Sequence, residues 1–121
     1  MAEKGNNSNA QYIIGLCYQY GEGIEKDEVK AFKWYHKAAE NNHSDAQYNL
    51  GLCYQYGKGV GKDEIKAFEW YCKAAENNHS DAQYNLGLCY QDGKGVEKDE
   101  VEAFKCMKNQ PNKIILMHSI N

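Results

Sequence analysis

Five cysteines and four histidines are the residues of this 121-residue chain best equipped to bind a metal, form disulfides or attack a substrate. A zinc site brings its ligands in closely spaced pairs. No Cys-x-x-Cys occurs here, and no other usual ligand spacing is present. A cysteine nucleophile needs an activated thiolate beside a base. Cys72 and His79 qualify by residue type alone, because no spacing signature accompanies them. Cys17, Cys53 and Cys89 instead recur every 36 residues, while Cys72 and Cys106 stand apart. Recurrence of that kind points to buried, small apolar thiols. His43 and His79 are also 36 residues apart, each just before a Ser, where an imidazole can pack as a hydrophobic staple on Tyr48 or Tyr84. His36 and His118 have no such setting. No catalytic residue, metal or cofactor is expected.

The interval that organises the cysteines organises the whole chain. Gln11-Tyr12 returns as Gln47-Tyr48 and Gln83-Tyr84, and Gly15-Leu16-Cys17-Tyr18-Gln19 returns unchanged at 51–55 and 87–91. Lys26-Asp27-Glu28 recurs at 62–64 and 98–100, and Trp34-Tyr35 recurs as Trp70-Tyr71. In the third copy Cys106-Met107 stands there instead. A period in this range marks stacked supersecondary units that cannot bury their apolar faces singly.

Each unit reads as a helical hairpin. Ser44 to Gln47 fits a capping box, with Ser8 and Gln11, and Ser80 and Gln83, as its copies. Ala46, Leu50, Cys53 and Tyr54 then form one apolar stripe at helical spacing. Gly57 is placed to close that helix in the left-handed conformation, and Gly57-Lys58-Gly59-Val60 makes the turn. Asp63 is a favourable N-cap for the second helix. Ile65, Ala67, Phe68, Trp70, Tyr71, Ala74 and Ala75 give that helix a wide apolar band, so burial on more than one side is expected. Asn77-Asn78 ends it. Gly15, Gly51 and Gly87 lie in mid-helix, where Gly costs about 1 kcal/mol relative to Ala. Close approach of the partner helix is the expected reason, with Tyr54 and Trp70 filling the remaining space.

Composition narrows the function classes. Net charge is −3, with Lys, Glu and Asp interspersed, so the basic stripe of a nucleic-acid binder is missing. No apolar run approaches the roughly 18–20 residues of a membrane span. The start, from Met1 to Asn7, is polar and lacks the apolar core of a secretory signal. A cytoplasmic protein forming one domain over 1–121 is expected.

The string Ala46…Leu50-Gly51…Tyr54…Gly57-x-Gly59-Val60…Asp63…Lys66-Ala67…Trp70-Tyr71…Lys73-Ala74-Ala75 resembles the SEL-one-like repeat, a tetratricopeptide-like family. The resemblance covers roughly residues 5 to 108. It implies an all-α, right-handed α/α superhelical solenoid of about three 36-residue helix–turn–helix repeats. These are assigned to 5–40, 41–76 and a truncated 77–110, with a non-repeat tail at 111–121. Asn42 and Asn78 stand where the family usually has Gly. The third copy departs further, with Glu102 for Lys66 and Pro111 where Ala75 would recur. The apolar tail from Lys113 to Ile120 matches no part of the repeat. It suits either a cap over the open end or a self-association patch.

The resemblance implies an adaptor or scaffold role, with a partner protein or peptide held in the concave groove of the superhelix. Asn49, Leu52 and Tyr56 share a face of the first helix, off its core stripe. Their equivalents are Ile13, Leu16 and Tyr20, and Asn85, Leu88 and Asp92. These nine are the candidate binding residues. Two of the three positions change between copies while the core stripe hardly changes, as expected of a reading face on a fixed scaffold or of a solvated face. Self-association through the third repeat or the tail, giving a homo-oligomer, is the alternative. Cysteine-rich relatives credited with binding or hydrolysing β-lactams suggest a third class, but they staple each hairpin with paired cysteines. Here only one Cys recurs per unit. Equivalent positions in packed helices lie about 8–10 Å apart, beyond disulfide reach.

Overall fold

The computed structural model describes residues 2–108, with residues 2–6 followed along the backbone only. Among the described residues six helices occur in chain order: α1 (Ala2–Tyr20), α2 (Glu28–Glu40), α3 (Ser44–Tyr56), α4 (Glu64–Glu76), α5 (Ser80–Asp92) and α6 (Glu100–Met107). Each packs on its neighbours in the chain, α1 on α2, α2 on α3 and onward to α6. Among the described residues there is no strand, and the architecture is the expected all-α solenoid of three hairpins.

The turns repeat their chemistry as well as their sequence. Gly57 closes α3 at φ 69°, and its N–H donates to the Cys53 carbonyl. A left-handed residue there is strained for any side chain but open to Gly. Asp63 N–H then donates to the Tyr54 carbonyl at 2.8 Å, folding the turn back on the helix just ended. The Asp63 carboxylate accepts from Lys66 N–H at 3.1 Å and caps α4. Asp27 and Asp99 do the same for α2 and α6. A cap of this kind contributes about 1 kcal/mol. Asn42 and Asn78, at φ 67° and 65°, carry the chain out of the second helices.

The first-helix caps differ from the sequence expectation. His43, not Ser44, is the N-cap of α3, and its Nδ1 accepts from Ala46 N–H at 3.2 Å. His79 caps α5 in the same way, at 3.1 Å from Ala82 N–H. Ser44 and Ser80 are the first helical residues, and Ser8 lies well inside α1. Gln47 has no role in a capping box either. Its amide donates to the Ala39 carbonyl at 3.2 Å and accepts from Asn77 at 2.9 Å. The staple is corrected in direction too, because His43 stacks on Tyr12 and His79 on Tyr48, each in the preceding repeat. The imidazole is longer than a hydroxymethyl. It caps its own helix and reaches back across the joint at once.

Packing follows the apolar stripe. Ala46, Leu50, Cys53 and Tyr54 are all buried, and Leu50 shares one core cluster with Ala31, Tyr35, Ala38 and Ala39 of the previous repeat. Phe32 meets the edge of Tyr54 with centroids 5.4 Å apart, and Phe68 meets Tyr90 identically. Gly51 does permit the close approach of the partner helix, with the ring of Tyr71 nearest, and at Gly15 and Gly87 the Ala31 and Ala103 carbonyls of the partner helix lie close as well. A Cβ added there would lie 2.6 Å from Cδ1 of Tyr71, which is fully buried. Tyr35 over Gly15 and Met107 over Gly87 repeat the fit. The band on α4 is narrower than its sequence suggests. Ala67, Tyr71 and Ala74 are buried and Phe68, Trp70 and Ala75 half-buried, whereas Ile65 faces solvent.

Candidate protein-binding face

The free side of the first helices carries the candidate residues. Tyr20 and Tyr56, 64% and 60% exposed, stand at the C-terminal ends of α1 and α3, just before the glycine of each turn. Between them lies a groove of about 120 Å³ lined by Gln19, Tyr20, Asn49, Leu52, Cys53, Tyr56 and Lys58. Four of the nine sequence candidates, Tyr20, Asn49, Leu52 and Tyr56, therefore meet in one place. Ile13 and Asp92 are exposed but outside this groove, and Leu16, Asn85 and Leu88 are half-buried outside it. Leu16 and Leu52 each turn partly inward against the apolar core.

Beneath the groove runs a set of tyrosine hydroxyls. Tyr35 donates to Oε1 of Gln19, and Tyr71 donates to Oε1 of Gln55. Burial pushes both phenols far above their ordinary range, with hydrogen bonding from Asn49 and Asn85 opposing the shift. Tyr12 and Tyr48 are raised for the same reason, and Asn49 and Asn85 interact with them as well. Asn49 thus has one side in the groove and the other on the tyrosines. Gln19, Cys53 and Lys58 were not among the sequence candidates. Gln19 had a signal: a polar residue held unchanged at 19, 55 and 91 within an apolar segment.

The thiols of Cys53, Cys72 and Cys89 are poor nucleophiles in this setting. All five cysteines are free, and burial raises Cys53, Cys72 and Cys89 to about 11. The thiolate is the reactive form, and here it is disfavoured. His79 is committed to its cap, with Nε2 2.9 Å from Asp45 Oδ1, so it is not poised as a base for Cys72. Among the described residues no group of three potential ligands is placed to hold a metal. No described helix is long and apolar enough to cross a membrane.

Comparisons with known proteins agree with this fold. The Sel1 repeat pattern matches at residues 8–43, 44–79 and 80–108. A Sel1 repeat protein from Oxalobacter formigenes superposes with a TM-score of 0.83 at 42% identity, over 88% of this chain and 43% of that one. A protective antigen of uropathogenic Escherichia coli with an SLR fold, c5321, gives 0.84 at 36% identity, over 88% and 23%. Helicobacter pylori cysteine rich protein B gives 0.68 at 30% identity, over 87% and 86%. The chain therefore spans less than half the length of the first two. A comparison with curated proteins finds no match. Sel1 repeats are in general scaffolds for protein interaction. Three matched repeats over most of the sequence, on a fold shared with these structures, place the chain in the Sel1 repeat family.

Proposed function

We propose that this protein is an adaptor that binds a partner protein or peptide on the concave side of its first helices, centred on Tyr20, Asn49, Leu52 and Tyr56. The observation that carries the reading is the groove between two exposed tyrosines one repeat apart. Tyr offers rigid apolar area with a polar tip and is enriched in interface cores. Leu52 supplies an apolar floor, and Asn49 and Gln19 supply amides that can pair with a peptide backbone. Ile13, Leu16, Asn85, Leu88 and Asp92 extend the face along the solenoid. The fold itself fixes no particular partner.

Peptides selected from a displayed random library against the whole protein provide the test. The Leu52→Ala/Tyr56→Ala double variant should keep its helical circular dichroism and lose about 2 kcal/mol or more of affinity for selected binders. Unchanged affinity in the folded double variant would remove the groove assignment.

A further inference from the structure

His43 and His79 each do two jobs that depend on the same protonation state. Nδ1 of His43 accepts a backbone N–H from Ala46, so it must carry a lone pair, and the ring proton sits on Nε2. That nitrogen lies 3.1 Å from Asn9 Oδ1 on α1. The ring also stacks on Tyr12, with centroids 4.7 Å apart. A second proton would sit on Nδ1 and face the Ala46 N–H. It would also add positive charge at the N-terminus of α3, where the helix dipole is already positive.

The two joints differ in what they offer a protonated ring. His79 would keep an ion pair with Asp45, 2.9 Å away. At the matching position His43 meets the neutral amide of Asn9. Tyr12 from α1 stacks on His43, the Asp45 charge acts on it from two residues along α3, and Asn41 and Asn42 precede it in the turn from α2. Asn41 is held by Gln11, and Glu40 faces His36 at 3.4 Å. Beyond His43, Tyr12 interacts with Asn49, which lines the groove.

We propose that His43 makes the joint between repeats 1 and 2 an acid-sensitive latch: protonation of Nδ1 uncaps α3 and, through Tyr12 and Asn49, loosens the groove between α1 and α3. Burial lowers the His43 pKa below the usual histidine value, with the Asp45 charge opposing. A lowered folded-state value means that the unfolded chain takes up the proton first. The stability contributed by the neutral ring is present above about pH 6.5 and is lost as pH falls below it. The latch stands on the joint alone, whereas its effect on a partner rests on the proposed groove.

The test is residue-resolved amide exchange on the full chain at about pH 7.5 and about pH 5.5, corrected for intrinsic rates, with imidazole nitrogen shifts read alongside. Protection of the Ala46 amide should fall by about fivefold at the lower pH, the loss of one N-cap. His43→Asn retains a capping acceptor that does not titrate, and should leave Ala46 protection independent of pH. Asn9→Asp gives His43 the carboxylate partner that His79 has, which favours the protonated ring, and should deepen the loss at the lower pH. An Nδ1–H tautomer of His43 at neutral pH, or an equal acid response in His43→Asn, would overturn the latch. These readouts need no partner, so a failed groove assignment would leave them unchanged.

Discussion

Helices α3 and α5 have the same sequence from Ser to Gln and differ only in their last residue, Tyr56 against Asp92, yet repeats 2 and 3 close over them differently. In repeat 2 the ring of Tyr71 sits on Gly51 and its hydroxyl donates to Gln55. In repeat 3 Met107 fills the same space over Gly87, with its Cε 2.6 Å from where a Cβ would be. Met has no donor, and Oε1 of Gln91 is buried without a hydrogen-bond partner among the described residues. The substitution keeps the glycine covered and loses the hydrogen bond. The stripe differs too: Leu50 and Tyr54 are buried, whereas Leu86 and Tyr90 are only half-buried. One helix sequence therefore has two degrees of burial in two repeats.

The largest test of this contrast is a matched pair of core truncations. Leu50→Ala should cost about 2–5 kcal/mol, because its side chain is fully enclosed by repeat 1 and by α3's own repeat. Leu86→Ala should cost less, since part of its surface already meets water. Chemical denaturation of the two variants reads the difference directly. Equal losses would show that repeats 2 and 3 are packed to the same degree, against the burial pattern.

A smaller effect isolates the hydroxyl. Tyr71→Met copies repeat 3 into repeat 2, preserving cover over Gly51 while leaving Gln55 without its donor. An unsatisfied buried acceptor costs about 1–3 kcal/mol. A loss in that range, with unchanged helix content, is expected from thermal and denaturant unfolding. A neutral outcome would mean that Gln55 finds water or another partner when the tyrosine is removed.

What could be read from the sequence depended on whether the deciding contact was local. The hairpins, the core stripe through Leu50, the Gly57 stop and the Asp63 cap involve residues within one helix or turn, and their 36-residue recurrence exposed them. The His43 cap was hidden because Ser is the better intrinsic N-cap. What favours His is the stacking on Tyr12 across the joint, a contact between distant parts of the chain. Gln47 misled for the same reason, since its partners Ala39 and Asn77 lie in flanking turns. Ile65 was overassigned to the core because a wide band on a helical wheel does not say where the next helix stops covering it. At the groove, helical spacing brought Asn49, Leu52 and Tyr56 together. Tyr20 joins them only because the fold brings the end of α1 to the groove on α3, and Gln19 and Lys58 are added by the same placement.

The finest test runs the contrast in reverse. Met107→Tyr should fit, because Gly87 offers the recess that Gly51 offers Tyr71. The new hydroxyl would reach Gln91 as Tyr71 reaches Gln55, supplying the missing donor. A single restored hydrogen bond contributes about 1 kcal/mol, so a gain of that size is expected in denaturant unfolding. The gain alone would not identify its source, since added ring area stabilises as well. A double-mutant cycle with Gln91→Leu separates the two. If the hydrogen bond is responsible, Met107→Tyr should add less in the Gln91→Leu background, and the coupling should be about 1 kcal/mol. If the ring area is responsible, the gain should be the same in both backgrounds, and the looseness of repeat 3 would then come from lost volume rather than from the unpaired Gln91.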